Sequence, residues 1–247
     1  MFGLIHNHTT LILKQSNNNA FKQCNRMPHH KLERFAENLT FKNLHQVSFE
    51  QLEREGFAYR GRWNEWFGNN HPITLELGCG KGDYTIALAR LHPERNYIGF
   101  DIKGARLWRG AKTATEEAMG NVAFVRTRIE LINRFFAEGE VSEIWITFPD
   151  PQPKKPMKRL SCERFLSYYR QFLKPGSPIH LKTDSQELYN YTMDEVIAPA
   201  GYAVEYHTAD LYADTKYDGE AKLTQTFYEK IFLSEGKPIT YVKFVIQ

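Results

Sequence analysis

A glycine-rich turn, "LELGCGKGDY", contains the residues whose spacing is most typical of a ligand-binding site. Gly78, Gly80 and Gly82 follow an apolar run and precede a helical pattern; glycine there permits positive φ angles and a close approach of ligand to backbone. Asp101 ends the next apolar run, and an acid at that place can accept hydrogen bonds from both hydroxyls of a ribose. These residues predict a site for an adenosine-containing ligand.

The spacing of the glycines distinguishes between ligands of this kind. A dinucleotide site has the pattern G-x-G-x-x-G and holds a pyrophosphate at a helix N-terminus, whereas this chain has G-x-G-x-G with Glu76 two residues before the first glycine. A carboxylate repels a pyrophosphate but attracts an ammonium or a sulfonium group, and S-adenosylmethionine carries both. The pattern therefore favours S-adenosylmethionine over NAD, with an NAD-dependent oxidoreductase as the alternative.

A second stretch, "FPDPQPKKPMKRL", places an acid among prolines and then a run of cations. The flanking prolines restrict the backbone around Asp150, so we expect its carboxylate to be held in one place. The cations are not expected in a core, and we interpret them as contacts for a phosphate backbone at the rim of the site. They are Lys154, Lys155, Lys158 and Arg159.

Strand-like and helix-like segments alternate from residue 72 onward and must position both stretches. The predicted strands are residues 73–77, 96–101, 122–126, 143–148, 178–184, 202–207 and 239–246. Five units of strand followed by helix predict an α/β fold with a mostly parallel, seven-stranded sheet, in which the last two strands pair antiparallel at the edge. Asp150 follows the fourth strand, which should adjoin the first, so we expect it to face the same pocket as Glu76 and Asp101.

The charge of the chain is local rather than global. The net charge is +3, but the first 32 residues contain four cations and no acid, and the rest has 28 basic against 29 acidic residues. Any polyanion site must therefore be a local patch. No apolar run approaches the length of about 18 residues that spans a membrane. Three scattered cysteines without a C-x-x-C pair indicate neither disulfides nor a zinc site, as is typical of a reducing cytoplasm.

We divide the chain after residue 26. Residues 1–26 lack helical or strand periodicity and are expected to form a disordered leader. Residues 27–247 are expected to form a single domain, with a mostly helical or irregular cover at residues 27–71 and the α/β core at residues 72–247. The polar loop of residues 208–224 is a candidate lid near the pocket.

From about Met27 to its end, the chain resembles the bacterial tRNA (guanine-N7-)-methyltransferases, the TrmB family. The resemblance rests on five motifs in order: "LELGCGKG", "YIGFDIK", "FPDPQPKK" with the following "KRL", "LKTD" and "TFYEKIFLSEGKPI". It implies a Rossmann-like class I methyltransferase fold and S-adenosylmethionine as the methyl donor, with no metal. It also implies methylation of a guanosine in the variable loop of tRNA to 7-methylguanosine.

The resemblance further implies roles for individual residues of this sequence. The implied donor-binding residues are Glu76, Gly78, Gly80, Gly82, Asp101, Arg128 and Asp150, and Asp150 is also the implied catalytic acid. The implied substrate-binding residues are Lys154, Asp184, Thr226, Phe227, Tyr228 and Glu229. The chain departs from the family in having Gln152 where many members have Trp, Cys79 between the first two loop glycines, and Arg128 where a donor-binding Asp or Asn is common.

The sequence leaves several alternatives open. A class I methyltransferase for a small molecule or a protein would share the donor site, and a non-catalytic RNA-binding protein could retain the fold. Asp184 and Glu229 are alternatives to Asp150 as acceptors for the guanine edge. A stripe at three-residue spacing is interpreted as a solvated helix face rather than an RNA contact; its members are Arg106, Arg109 and Lys112. We expect a monomer or a homodimer.

Overall fold

The computed structural model describes residues 29–246, and the predicted leader of residues 1–26 lies outside that part. The strands are β1 (Leu44–His45), β2 (Ile73–Leu77), β3 (Asn96–Asp101), β4 (Val122–Arg126), β5 (Glu143–Thr147), β6 (Pro178–Thr183), β7 (Ala203–Thr208) and β8 (Thr240–Val245). The α-helices are α1 (His29–Asn38), α2 (Phe49–Glu55), α3 (Trp63–Phe67), α4 (Asp83–Leu91), α5 (Gly104–Glu116), α6 (Glu163–Tyr169), α7 (Gln186–Asn190), α8 (Ala198–Ala200), α9 (Glu220–Leu223) and α10 (Phe227–Ser234). Two 3₁₀ helices (Ile129–Arg134 and Pro156–Lys158) and a π-helix (Tyr191–Ile197) complete the set. None of the helices within residues 29–246 has both the length and the apolar character required to cross a membrane.

The eight strands form one sheet in the order β1-β4-β3-β2-β5-β6-β8-β7. Strands β1 to β6 run parallel, whereas β8 is antiparallel to both β6 and β7. The predicted mostly parallel sheet, with antiparallel pairing of the last two strands, is confirmed. The chain moves outward from β2 through β3 to β4 and then returns to β5 on the other side of β2. Ligands of such sheets bind at the carboxyl ends of the strands where the order reverses.

The sheet has one strand more than the seven that the sequence predicts. Strand β1 consists of Leu44 and His45, which pair in parallel with Phe124 and Val125 of β4. Two residues are too few to produce a period-two pattern, so the sequence alone assigned this segment to an irregular cover. The strand extends the sheet by one position at the edge farthest from β7.

Helices cover both faces of the sheet because alternate residues of each central strand point to opposite sides. On one face, Leu75 of β2 and Ile146 of β5 belong to a cluster that also contains Trp63 of the N-terminal cover. On the other face, Trp145 packs in a second cluster with Tyr84 of α4. The cover is therefore part of the core of the domain rather than a separate layer.

Helix α5 approaches the glycine turn closely around a single phenyl ring. A Cβ atom at Gly110 would lie 2.6 Å from Phe124 Cζ and 2.8 Å from the carbonyl oxygen of Lys81. Gly82 has a φ of 75°, and a Cβ there would lie 2.6 Å from Phe124 Cε1. The turn and the helix can therefore pack together on Phe124 only because both positions lack a side chain.

We expect Gly110→Ala to lower the free energy of unfolding by roughly 1–3 kcal/mol, because the added methyl group overpacks this contact. The control is Gly120→Ala, since no atom lies within 4 Å of a Cβ at Gly120. That variant should change stability by no more than about 0.5 kcal/mol. Urea unfolding of both variants measures the difference, and equal losses would contradict the predicted effect of the close contact.

Candidate active site

Two adjoining hollows open at the carboxyl edge of the sheet, between the ends of β2 and β5. The inner hollow is lined by Glu76, the glycine turn, Thr147 and residues 226–228. The outer hollow is lined by Asp101, residues 127–130 and the proline-rich segment around Asp150. Gly78, Arg106 and Phe148 line both hollows; these are the residues at which the two hollows meet.

Glu76 lies at the floor of the inner hollow, with only 5% of its surface exposed. Its Oε2 atom accepts a hydrogen bond from the backbone N–H of Thr85 at 2.8 Å and another from the Thr85 hydroxyl. Its Oε1 atom accepts a bond of 2.7 Å from Thr147 Oγ1. Burial raises the pKa of Glu76 to about 7, although these hydrogen bonds act in the opposite direction. A bound cation near this carboxylate would therefore stabilise its ionised form.

Asp101 ties the end of β3 to the glycine turn. Its Oδ2 atom accepts a hydrogen bond of 2.9 Å from the Gly80 backbone N–H, and its Oδ1 atom accepts one of 2.7 Å from the N–H of Lys103. A carboxylate oxygen can accept more than one hydrogen bond. Asp101 therefore shapes the turn, and its carboxylate oxygens retain acceptor capacity for further hydrogen bonds.

The N-terminus of α4 points backbone donors at the inner hollow. Within the described part of the chain, the N–H groups of Lys81, Asp83 and Tyr84 have no hydrogen-bond acceptor, and all three residues line the inner hollow. Unpaired N–H groups at the start of a helix favour an anionic group. The inner hollow thus combines anion-binding amides with a buried carboxylate, and the two suit an amino-acid moiety that carries both charges.

The segment after β5 holds Asp150 in a strained turn. Phe148 and Gln152 have φ angles of 47° and 46°, which are uncommon for residues other than glycine. The Gln152 N–H donates a hydrogen bond of 3.1 Å to Asp150 Oδ1. Asp150 is exposed and lines the outer hollow together with Asp101. The two acids therefore share one hollow, and Glu76 lies in the neighbouring one.

Arg159 is buried, so its prediction as a phosphate contact at the rim was wrong. Its side chain is 4% exposed, and its Nε atom donates a hydrogen bond of 3.0 Å to the Pro151 carbonyl. The guanidinium group also pairs with Glu187 and lies 4.3 Å from the centre of the Tyr191 ring. Arg159 directly follows the 3₁₀ turn Pro156–Lys158, and its bond to the Pro151 carbonyl joins it to the segment that carries Asp150. Its guanidinium stabilises that segment from below.

The three lysines of the same segment are exposed, and none forms an ion pair within the described residues. Lys158 lines the outer hollow, whereas Lys154 and Lys155 do not. Arg128 is also exposed and lines the outer hollow from the side of β4. Of the four exposed cations, Lys158 and Arg128 therefore add positive charge to the outer hollow itself.

The start of α10 forms the outer wall of the inner hollow. Thr226 caps the helix and accepts a bond of 3.1 Å from the N–H of Glu229, whose carboxylate in turn accepts a bond of 3.1 Å from the N–H of Thr226. Phe227 and Tyr228 are 54% and 51% exposed. Lys81 Nζ lies 4.9 Å from the centre of the Phe227 ring. Two exposed rings beside a ligand site are suited to stacking on a flat base.

Glu229 does not line the hollow that its sequence motif suggested. Its carboxylate is fully buried and lies 2.6 Å from Nζ of Lys182, which is fully buried as well. Lys182 Nζ also donates to the carbonyl oxygens of Ala221 and Thr224. In this conformation Glu229 holds α10 on the sheet, so the implied substrate-binding role of its side chain does not fit its position.

Two further predicted elements lie outside the hollows. Asp184 follows β6 and is half-buried, but it lines neither hollow. The candidate lid of residues 208–224 also contributes nothing to either hollow. Leu211 and Ala221 of that segment are fully buried, and the Leu211 N–H donates to the Ile239 carbonyl at 2.7 Å. The segment is therefore packed against the protein rather than positioned over the site.

Sequence reasoning missed three residues that organise the site. Thr147 ends β5 and bonds to Glu76, and a polar residue ending a buried strand was its only signal. Lys182 was visible as a cation within the buried strand "PIHLKT". Arg106 was grouped with Arg109 and Lys112 on a solvated face, but it lines both hollows. Residues 29–246 contain no group of three potential metal ligands.

Known proteins similar to this chain are methyltransferases. A family described as "Putative methyltransferase" matches residues 70–242. The tRNA (guanine-N(7)-)-methyltransferase of Christiangramia forsetii is 51% identical over 220 residues, which cover 88% of this chain and 98% of that protein. The enzyme of the same name from Porphyromonas gingivalis is 52% identical over 208 residues, covering 83% and 85%.

Solved structures give an independent comparison of the fold. The 16S rRNA methyltransferase KamB superposes with a TM-score of 0.59 at 17% identity, covering 78% of this chain and 95% of that one. An antibiotic-related methyltransferase gives a TM-score of 0.54, also at 17% identity, with coverage of 74% and 91%. At this identity the similarity concerns the class I methyltransferase fold alone. The sequence relatives go further: the chain belongs to the family of tRNA (guanine-N(7)-)-methyltransferases.

Proposed function

We propose that this protein transfers the methyl group of S-adenosylmethionine to N7 of a guanosine in the variable loop of tRNA, giving 7-methylguanosine. One observation carries the proposal: the glycine turn after β2 and the Asp150 segment after β5 meet at the reversal of strand order. The sequence relatives that bear this activity in their names support it. Because tRNA is the proposed substrate, we place the reaction in the cytoplasm.

Residues of both hollows fit the proposed donor. The unpaired amides at the start of α4 are suited to a methionine carboxylate, and the buried carboxylate of Glu76 is suited to its ammonium group. Asp101 is suited to the ribose hydroxyls. Arg128 and Asp150 would border the donor from the outer hollow. When bound, S-adenosylmethionine supplies an electrophilic methyl group.

The chemistry of N7 determines what the protein must contribute. N7 of guanine has an in-plane lone pair and no proton, so forming the N–C bond while the C–S bond breaks requires no general base. Alignment of N7, the methyl carbon and sulfur can contribute roughly 7–11 kcal/mol. Positive charge moves onto the guanine ring, and we assign its stabilisation to the carboxylate of Asp150, which can also accept bonds from the N1–H and amino groups of the base.

The proposed RNA contacts divide into a base platform and a phosphate-binding rim. Phe227 and Tyr228 are exposed beside the inner hollow, where they could stack on the target base. Lys154, Lys155 and Lys158 would contact phosphates near the outer hollow. The bound base must leave its stack to reach the donor. We further propose that residues 27–247 form one methyltransferase domain. The described part of its N-terminal cover contributes Leu52, Phe57, Trp63 and Phe67 to the core of the sheet.

The experiment that tests this function uses the purified protein, S-adenosylmethionine labelled in its methyl group, and two unmodified tRNA transcripts. One transcript carries guanosine at the target position of the variable loop, and the other carries adenosine there. We expect label in the first transcript only, mapped to 7-methylguanosine. If neither transcript is labelled but the protein still binds S-adenosylhomocysteine, tRNA is not the acceptor, whereas the proposed methyl donor remains supported.

Donor affinity should fall as the pH is lowered through 7. The pKa of Glu76 is raised to about 7 by burial, so its carboxyl group is mostly protonated at pH 6.0 and then no longer attracts the cationic donor. We expect S-adenosylhomocysteine to bind roughly eightfold more weakly at pH 6.0 than at pH 7.5, because the ionised fraction of Glu76 falls by about that factor. Calorimetric titration measures this change. In Glu76→Gln the affinity should be weaker and lose the acid dependence, and a wild-type affinity that is flat over this range would contradict the assignment.

A further inference from the structure

Arg106 differs from the other cations of its helix in what it faces. It is exposed on α5 and lines both hollows. Arg109, one turn further along, is also exposed but lines neither hollow. Lys112 is bonded to Glu37 at 2.8 Å. The three residues therefore do not form one solvated face: Lys112 is paired, Arg109 faces solvent, and Arg106 borders the site.

The surroundings of Arg106 leave its charge available to a ligand. No ion pair or side-chain hydrogen bond of Arg106 occurs among residues 29–246. Three acids line the outer hollow, and none of them is paired with Arg106. Asp101 bonds to the turn, Asp150 accepts a bond from the Gln152 N–H, and Glu130 forms no ion pair among the described residues. Lys103 and Lys158 are cations at the same hollow. A hollow with several unpaired cations at its rim is suited to an anion.

The donor's carboxylate has a different set of partners. The unpaired amides of Lys81, Asp83 and Tyr84 lie in the inner hollow, and a helix N-terminus with free N–H groups binds such a group without a side chain. An extruded nucleotide brings a second kind of anion, because its phosphodiester remains at the mouth when its base enters the site. Arg106 lies where the two hollows meet, which is the place that such a phosphodiester would occupy.

We propose that Arg106 binds the phosphodiester adjoining the target guanosine and so holds the extruded nucleotide at the junction of the two hollows. The inference rests on the proposed function, because it requires RNA as the acceptor. A guanidinium offers paired N–H donors in a plane that matches two phosphate oxygens, which an ammonium group cannot do. Arg106 is thus a substrate-positioning residue with direct contact to the RNA backbone.

The test compares Arg106→Ala with Arg109→Ala, which removes the same charge from the same helix. For Arg106→Ala we expect the KM for the guanosine transcript to rise roughly tenfold or more. The dissociation constant of S-adenosylhomocysteine should stay within about twofold of wild type.

The slope of log K against log salt for tRNA binding should decrease by about 1 in Arg106→Ala. Arg109→Ala should change the KM by less than about twofold. Arg106→Lys should keep the salt slope and recover only part of the KM.

Several outcomes would overturn the inference. Equal increases of KM in the two alanine variants would show that Arg106 contributes only nonspecific electrostatic attraction for RNA. Weaker binding of S-adenosylhomocysteine with an unchanged KM for tRNA would show that Arg106 binds the donor instead. Because both residues are exposed, melting temperatures equal to wild type establish that the variants are folded. If the wild-type protein methylates the transcript, the proposed function holds even when the variants contradict the role of Arg106. If wild type neither binds nor methylates tRNA, both are wrong.

Discussion

Replacing Asp150 by Asn is expected to lower kcat for tRNA methylation by roughly 10²–10³-fold, while the affinity for S-adenosylhomocysteine changes by less than about threefold. Asn retains the shape of Asp and the acceptor for the Gln152 N–H, so the turn should persist. What the substitution removes is the negative charge. That charge is needed when positive charge reaches the guanine ring, which occurs after the donor is bound.

The structure holds the backbone around Asp150 from several sides, which supports the positioning role proposed for its carboxylate. The Pro151 carbonyl accepts a bond from buried Arg159, and two residues of the segment have positive φ angles. Strained backbone persists where the surrounding structure fixes it, and such positions are often functional. A carboxylate held in this way needs no reorganisation as the charge develops.

Single-turnover rates and calorimetric titration separate the two effects. Asp184→Asn is the informative comparison, because Asp184 is the alternative acceptor for the guanine edge but lines neither hollow. We expect a smaller loss of rate for that variant. Parallel losses of rate and donor affinity in Asp150→Asn would instead make Asp150 a donor-binding residue. A larger loss of rate in Asp184→Asn would transfer the proposed role to Asp184.

Replacing Lys182 by Met is expected to lower the melting temperature by roughly 10 °C, since removing one partner of a buried pair costs about 3–5 kcal/mol. The substitution leaves the Glu229 carboxylate buried without its cation, and it removes the donor to the carbonyls of Ala221 and Thr224. These groups join α9 to the start of α10. The KM for tRNA should therefore also rise, because Phe227 and Tyr228 lie at that junction.

A pair on the neighbouring strand provides the matched control. Lys243 of β8 lies 2.7 Å from Glu205 of β7, and both side chains are partly exposed. Lys243→Met should cost no more than about 1 kcal/mol, because water can solvate the remaining charge. The double variant Lys182→Met with Glu229→Gln should recover part of the lost stability, since no uncompensated charge remains. Thermal unfolding of these variants checks the prediction, and similar melting temperatures for Lys182→Met and Lys243→Met would contradict it.

The sequence by itself determined the α/β class, the positions of the long strands along the chain and the two stretches that meet at the site. It could do so because these features are local. Apolar runs, helical periodicity and glycine spacing are all contained within about ten residues, and the topology of parallel sheets then brings strand ends together. The sequence therefore predicts that Glu76, Asp101 and Asp150 lie at one edge of the sheet.

Only the tertiary structure decided how charged side chains are used. Arg159 and Lys158 are neighbours in one basic run, yet one is buried beneath Pro151 and the other faces the outer hollow. Lys182 and Glu229 come from separate motifs but form one buried pair. The physical reason is that the free energy of a charge depends on its burial and on partners distant in the chain. Those quantities exist only after the backbone has folded, so no local pattern of residue types can contain them.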